Sequence, residues 1–152
     1  MIVYRICNKL YANDLQGIGA KMYGGRWNNV GNAVVYTSSS RALAALEVLV
    51  HLPSTTLKKL DFTVVSIEIP ENSVEEIFYA DIKRDFQINR FSTYFKNIGD
   101  NWLRENSSLL LKVPSVVIHE EMNYFINPNH KDFNKVKLTE TKLFRFDDRL
   151  AK

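Results

Sequence analysis

The sequence contains a single cysteine, Cys7, so no disulfide can form within the chain. Its longest uninterrupted aliphatic stretch covers residues 42–46, far short of the roughly 20 apolar residues that cross a bilayer. The first residues show no basic region followed by an apolar stretch, so we expect no secretory signal. We therefore expect a cytoplasmic protein without a membrane partner.

Motifs of several enzyme classes are also missing. No cluster of Cys and His and no paired-histidine helix is present, so we expect no metal site. There is no phosphate-binding loop of the Walker type. Ser115 lacks the Gly-x-Ser-x-Gly context of a nucleophilic serine. Nothing here supports metal, nucleoside-triphosphate or serine-hydrolase chemistry.

Length and composition are those of one ordinary globular domain. The 152 residues are 45% hydrophobic and 24% charged, and no repeat or linker divides them. We therefore expect a single domain over residues 1–152. The net charge is +3 and the basic residues are scattered, which argues against direct DNA binding by this chain.

Hydrophobic patterning predicts strands and helices in mixed order. Predicted strands are 2–7, 33–37, 62–69, 109–113, 115–119, 124–126 and 142–146. Predicted helices are 41–51, 73–78 and 92–105. Because strands and helices do not alternate regularly, an α+β fold is favoured over a doubly wound sheet.

The helix predicted at 41–51 is apolar on nearly all sides, so we expect it to be buried. Glu47 and His51 interrupt it four residues apart, on one face. A carboxylate in such a helix is costly unless it is paired or hydrogen-bonded. It is either part of a structural ion pair or a carboxylate held in a cleft for catalysis.

Two further positions have both a structural and a functional interpretation. Arg26 follows the glycine pair 24–25, which suits either a tight turn or a loop that presents a guanidinium to phosphate. Ser115 is a polar residue in a predicted apolar strand, where it is either a hydrogen-bonded strand serine or part of a site.

Taken together, these segments resemble the RES domain, named for Arg, Glu and Ser and found as the toxin of bacterial toxin–antitoxin pairs. The resemblance covers essentially the whole chain and depends on the joint order of its motifs. They are GGRWN at 24–28, Tyr36, AALEVLVH at 44–51, GDNWL at 99–103, VPSVV at 113–117, NYFINPNH at 123–130 and FDDRL at 146–150. Lys21 stands where the family more often has an arginine, which keeps the charge but loses the planar fork.

The resemblance implies a fold like that of ADP-ribosyltransferases, a single compact α+β domain with a split, mostly antiparallel sheet and flanking helices. It implies a toxin that degrades NAD⁺ at the nicotinamide–ribose bond and arrests growth, with water or phosphate as acceptor. NAD⁺ is then the substrate, and no resident cofactor is expected. A protein ADP-ribosyltransferase and an inactive antitoxin-binding domain are the alternatives.

The resemblance also implies the site residues. Arg26, Tyr36, Glu47 and Ser115 form the implied catalytic site, with Arg5, Asn127 and His51 as neighbours. Glu47 suits an oxocarbenium-like transition state, and Arg26 suits a pyrophosphate. Tyr36 would stack on the cationic nicotinamide ring, and Ser115 would bind the nicotinamide amide or order the site.

The implied partner is a cognate antitoxin with a helix-turn-helix region that binds DNA. The toxin would then meet DNA only through that antitoxin. We expect the antitoxin to inhibit by covering the cleft between Arg26 and Glu47.

Overall fold

The computed structural model describes residues 1–86 and 92–150, so residues 87–91 and 151–152 of the predicted domain lie outside the described residues. The strands are β1 (Ile2–Asn8), β2 (Val35–Ser38), β3 (Phe62–Glu68), β4 (Val74–Glu76), β5 (Leu110–Pro114), β6 (Met122–Ile126) and β7 (Lys137–Phe144). The helices are α1 (Ile18–Tyr23), α2 (Arg41–His51), α3 (Ser54–Lys59), α4 (Tyr79–Phe86) and α5 (Ser92–Glu105).

One sheet of seven strands organises the chain in the order β4-β5-β6-β2-β1-β3-β7. All neighbouring strands are antiparallel except β4 and β5. β1 and β2 share a single register pair, Tyr4 with Ser38, whereas β1 and β3 are paired along their length. The predicted α+β fold with a mostly antiparallel sheet is confirmed. The sheet is continuous, and what was expected as a split is a single register pair between β1 and β2.

Apolar side chains pack on both halves of this sheet. A cluster around Ile6, Ala44 and Phe62 joins α2 to β1 and β3. Another cluster, around Trp27 and Phe125, joins α5 and the loop after α1 to β5 and β6. The site described below lies between these two clusters.

The helix α2 matches the predicted bounds because local signals define both of its ends. The Ser40 hydroxyl accepts a hydrogen bond from the Leu43 amide and caps the first turn. Pro53 follows the last residue of the helix by two positions. The expectation that α2 is buried on all sides is wrong, because only Leu43 and Ala44 are buried and Val50 is 53% exposed.

Three other sequence-based predictions need correction. The helix predicted at 73–78 is wrong, because β4 pairs there in parallel with β5 and α4 begins only at Tyr79. The strand predicted at 115–119 is wrong, because β5 ends at Pro114 and a turn follows. The last strand begins earlier and ends earlier than predicted, and three helices, α1, α3 and α4, were not predicted. None of the helices in the described parts of the chain is long and apolar enough to cross a bilayer.

Candidate active site

A cleft of about 660 Å³ opens beside the single register pair that joins β1 and β2. The strands β1 and β2 form its floor, α2 forms one wall, and the segment from Gly19 to Trp27 forms another. The structure brings five of the predicted site residues and neighbours into its lining, namely Arg5, Arg26, Tyr36, Glu47 and His51. Asn123, which was not predicted, also lines it.

Glu47 lies in α2, and its side chain is 18% exposed at the cleft. Its Oε1 accepts hydrogen bonds from Ser115 Oγ and from Asn123 Nδ2, both at 2.7 Å. Its Oε2 lies 3.9 Å from Nε2 of His51, whose side chain is half-exposed. Because both donors meet Oε1, Oε2 is the oxygen available to a molecule in the cleft.

Ser115 is the first residue after β5, and its side chain is fully buried. Its Oγ accepts hydrogen bonds from the Val117 and Ile118 amides at 3.0 and 3.2 Å while donating to Glu47. The hydroxyl therefore closes a turn and holds the carboxylate at once. This geometry favours the interpretation of Ser115 as a residue that orders the site, since its hydroxyl is already occupied.

Asn123 and Ser38 complete the surroundings of Glu47, and neither was predicted as a site residue. They are register partners on β6 and β2, and Ser38 Oγ donates to Asn123 Oδ1 at 2.7 Å. Both line the cleft, and both are buried. A polar residue at the start of an apolar strand was the available signal for Asn123, and it resembles the signal that drew attention to Ser115.

The loop that carries Arg26 is built around Asn28, which is fully buried. The side-chain nitrogen of Asn28, Nδ2, donates to the backbone carbonyls of Ala20, Asn29 and Asn32. Its side-chain oxygen, Oδ1, accepts from the Tyr36 hydroxyl at 2.6 Å. These contacts bring the loop onto β2 and leave Arg26 exposed at the cleft.

Close backbone approaches explain the glycines around this loop. Gly24 has φ +72°, a conformation that glycine adopts readily. A Cβ on Gly25 would lie 2.6 Å from the Tyr36 hydroxyl oxygen. The predicted glycine-rich turn therefore exists, and it seats the loop against Tyr36.

The same loop is also attached to α5, a contact that the sequence analysis did not foresee. Asp100 accepts hydrogen bonds from the amide and the side chain of Asn29, at 3.1 and 2.6 Å. A Cβ on the neighbouring Gly99 would lie 1.8 Å from the Trp27 carbonyl oxygen. The GDNWL motif thus contributes the support on which the Arg26 loop rests.

Tyr36 combines an anchored hydroxyl with a ring at the cleft. The Trp27 amide donates to its hydroxyl at 3.1 Å, and its ring packs edge-on against Phe125 with centroids 4.7 Å apart. Burial raises the pKa of the Tyr36 phenol well above its ordinary value, despite the opposing effect of the Trp27 hydrogen bond. The phenol stays protonated at neutral pH, so Tyr36 is a wall and an anchor rather than a base.

Arg5 and Cys7 line the β1 side of the cleft. Arg5 donates from a guanidinium nitrogen to the Asp14 carbonyl at 2.6 Å, which fixes one end of its fork. Burial raises the pKa of the Cys7 thiol above its ordinary value, although Arg5 acts in the opposite direction. Arg5 and Arg26 are thus two cationic groups in the lining of one cleft.

Asn127 and Lys21 lie elsewhere. Asn127 is fully buried after β6, donates to the Asn106 side chain at 2.8 Å and accepts from the Asn129 amide at 3.0 Å. It does not line the cleft, and its contacts are those of a turn residue. Lys21 lines a separate polar pocket together with Arg104.

Within residues 1–86 and 92–150, no group of three or more His, Cys, Asp or Glu is placed to hold a metal ion.

Comparisons with solved structures place this architecture beside a known toxin fold. A chain in the crystal structure of the MbcT–MbcA toxin–antitoxin complex of M. tuberculosis superposes with a TM-score of 0.74. The alignment covers 95% of this chain and 84% of that one, at 14% sequence identity. At this identity the similarity concerns the fold alone.

Sequence comparisons give closer relatives. The protein named Toxin Res from Photorhabdus laumondii is 40% identical over 154 residues, covering 100% of this chain and 98% of the relative. The Prs ADP-ribosylating toxin of a Sphingobium species is 39% identical over 144 residues, covering 93% of this chain and 89% of the relative. The family description "RES domain" matches residues 2–147. This chain therefore belongs to the RES domain family.

Proposed function

We propose that this RES domain is the toxin of a toxin–antitoxin pair and that it degrades NAD⁺ by cleaving the nicotinamide–ribose bond. One observation carries the proposal: a carboxylate, Glu47, is fixed by two hydrogen bonds in a cleft whose lining also contains Arg26 and Arg5. Fixed negative charge suits a cationic transition state, and the arginines suit the pyrophosphate of the substrate.

In the proposed reaction, the bond between ribose C1′ and the nicotinamide nitrogen breaks, and its electron pair leaves with the nitrogen. Nicotinamide departs neutral, and positive charge develops on the ribosyl ring. Glu47 stabilises that charge from the cleft wall, as carboxylates do in glycoside cleavage. Water then adds to C1′ and loses one proton, which yields ADP-ribose. With phosphate as the acceptor, its oxygen bonds to C1′ and the product is ADP-ribose phosphorylated at that carbon.

Arg26 and Tyr36 have separate tasks in this proposal. Arg26 binds the pyrophosphate bidentately from its anchored loop. The Tyr36 ring contacts the cationic nicotinamide before cleavage, and that attraction is lost when the neutral product forms. NAD⁺ is the substrate, and the proposal requires no resident cofactor.

A protein ADP-ribosyltransferase is the second candidate, because the Sphingobium relative is named an ADP-ribosylating toxin. Both reactions share the same bond cleavage and differ only in the acceptor. An inactive antitoxin-binding domain is disfavoured, since it would not need Arg26, Tyr36 and Glu47 to share one cleft.

Incubation of the purified chain with NAD⁺ alone tests the proposal. We expect free nicotinamide and ADP-ribose without any added protein. When phosphate is supplied, we expect ADP-ribose phosphorylated at C1′. Nicotinamide that appears only after a protein acceptor is added would favour the transferase. No nicotinamide under any of these conditions would contradict NAD⁺ cleavage.

The proposed partner is a cognate antitoxin with a helix-turn-helix region, because a free NAD⁺-consuming enzyme in the cytoplasm would arrest its own host. The solved structural relative is a toxin–antitoxin complex by its description. The chain carries a net charge of only +3, so DNA binding by the complex is assigned to the antitoxin.

The antitoxin is proposed to inhibit by covering the cleft between Arg26 and Glu47 with one of its chain ends, whose acidic or carboxylate group meets Arg26. Occupying the phosphate site excludes NAD⁺ whatever the acceptor is, and truncating that chain end tests the proposal. A truncated antitoxin that still blocks NAD⁺ entry would refute it.

A further inference from the structure

Asn123 lies at the centre of a chain of hydrogen bonds that ends on Glu47. Its Nδ2 donates to Glu47 Oε1, and its Oδ1 accepts from Ser38 Oγ, each at 2.7 Å. The residue is 8% exposed and lines the cleft. Both ends of one amide are therefore occupied, with the carboxylate on one side.

The register of the sheet produces this arrangement. Ser38 and Asn123 are paired residues on the antiparallel strands β2 and β6, so their side chains leave the same face within reach of each other. Turning the amide over would place its oxygen against the Glu47 carboxylate, where two acceptors would meet. The Glu47 carboxylate, which only accepts, selects one orientation of the Asn123 side chain, and the Ser38 hydroxyl holds that orientation by donating to the amide oxygen.

The consequence concerns the plane of the Glu47 carboxylate. Ser115 and Asn123 approach Oε1 from different elements, the turn after β5 and the strand β6. Two donors on one oxygen restrict rotation of the carboxylate about its last torsion angle, which is otherwise broad. The other oxygen, Oε2, is then held in a defined position, with His51 Nε2 at 3.9 Å as its titratable neighbour.

We propose that Asn123, oriented by Ser38, is a positioning residue that holds the Glu47 carboxylate toward the ribosyl cation formed on cleavage. The inference rests on the proposed function. Misplacing a catalytic group by about 1 Å lowers rates by about 100-fold, so a fixed carboxylate plane has kinetic value. Asn123 acts through Glu47 and is not expected to contribute to NAD⁺ binding itself.

Kinetics of Asn123→Ala and Asn123→Asp test the inference. For Asn123→Ala we expect kcat for nicotinamide release to fall about 10- to 100-fold, with KM for NAD⁺ nearly unchanged. Ser108→Ala is the matched control, because it also removes a buried hydrogen bond, to Trp102, but lies outside the cleft lining. Its kcat should equal that of the wild-type chain.

Asn123→Asp adds a readout that a purely structural role would not alter. An aspartate can donate to Glu47 only when the two carboxylates share a proton. The variant should therefore regain activity as the pH falls, and its profile of kcat against pH should lie on the acid side of the wild-type profile. Equal profiles for the two proteins would contradict the inference.

A crystal structure of Asn123→Ala tests positioning without turnover. We expect the Glu47 carboxylate to rotate from its wild-type plane; a superimposable carboxylate, or wild-type kcat in the folded variant, would overturn the inference. Absence of nicotinamide release from the wild-type chain would instead refute the proposed function, and the crystal structure would still decide the role of Asn123.

Discussion

Ser115 Oγ donates a hydrogen bond to Glu47 Oε1 at 2.7 Å while the same oxygen accepts from two backbone amides of its own turn. One hydroxyl thus connects the end of β5 to the helix α2. The buried hydroxyl of Ser115 is fully engaged, and its one donated hydrogen bond orders the Glu47 carboxylate.

Ser115→Ala should lower both stability and activity. The variant loses the donor to Glu47 and leaves the Val117 and Ile118 amides without that acceptor, so we expect a loss of about 1–3 kcal/mol in the free energy of unfolding. Denaturant unfolding measures the first effect, and nicotinamide release measures the second. A stable variant with wild-type turnover would remove Ser115 from the site.

Glu47→Gln keeps the volume of the side chain and removes its charge. If the charge stabilises the ribosyl cation, kcat should fall by about 100-fold or more while the chain stays folded. Glu76→Gln is the matched control, because Glu76 is also paired, with Lys112 at 2.8 Å, but does not line the cleft. Activity retained by Glu47→Gln would assign the carboxylate to structure.

Arg26→Ala should chiefly weaken NAD⁺ binding. Loss of a charge-assisted contact to the pyrophosphate is expected to raise Kd by about tenfold or more, and Arg26→Lys should restore only part of the affinity because the fork is lost. Calorimetry measures Kd for each variant. Arg149→Ala is the control, because it removes the positive charge of an exposed arginine and should leave Kd for NAD⁺ unchanged. Unchanged affinity would place the pyrophosphate elsewhere, with Arg5 the next candidate.

Gly99→Ala should destabilise the chain although it adds one methyl group. That Cβ would lie 1.8 Å from the Trp27 carbonyl oxygen, so the Arg26 loop would have to move away from α5. We expect a loss of about 2 kcal/mol or more in the free energy of unfolding, typical of overpacking. Gly19→Ala in α1 is the control, because nothing lies within 4 Å of its Cβ, and it should be neutral or slightly stabilising. Equal melting temperatures for the two variants would contradict this account.

Cys7 offers a probe of cleft occupancy, since it is the chain's single cysteine. Its raised pKa leaves less thiolate at neutral pH. The alkylation rate of the folded chain should therefore increase at a higher pH than that of the unfolded chain. Because Cys7 lines the cleft, NAD⁺ should slow the alkylation of the folded chain. Mass spectrometry of iodoacetamide-treated protein measures both effects. An alkylation rate that NAD⁺ does not change would mean that the ligand binds away from β1.

Features set by local sequence were the predictable part of this fold. Runs of apolar and β-branched residues defined β1 and β3, and a serine cap with a following proline defined α2. One error came from tertiary pairing: residues 74–76 are a strand because β5 lies beside them, and that neighbour is not visible in the local pattern. The other error was local: the Ser115 hydroxyl closes a turn by accepting from the Val117 and Ile118 amides, although the apolar residues that follow are typical of a strand.

The candidate site divides in the same way. Arg26, Tyr36 and Glu47 could be chosen from motif resemblance, and the structure places them in one cleft. Asn123 and Ser38 could not, because they are 85 residues apart and become partners only through the β2–β6 register. Asn127 was predicted from the motif that also contains Asn123. It lies beyond the end of β6, and its side-chain amide is engaged in a turn.

β1 and β2 share a single register pair, so little backbone pairing joins the two halves of the sheet beside the cleft. Helix α2 packs against β1 and β3, whereas the two donors to its Glu47 carboxylate, Ser115 and Asn123, belong to the β5–β6 half. The hydrogen bonds on this carboxylate therefore join the two halves across their weakly paired boundary. A change in the width of the cleft would strain these bonds, so the binding of a ligand and the orientation of Glu47 are coupled.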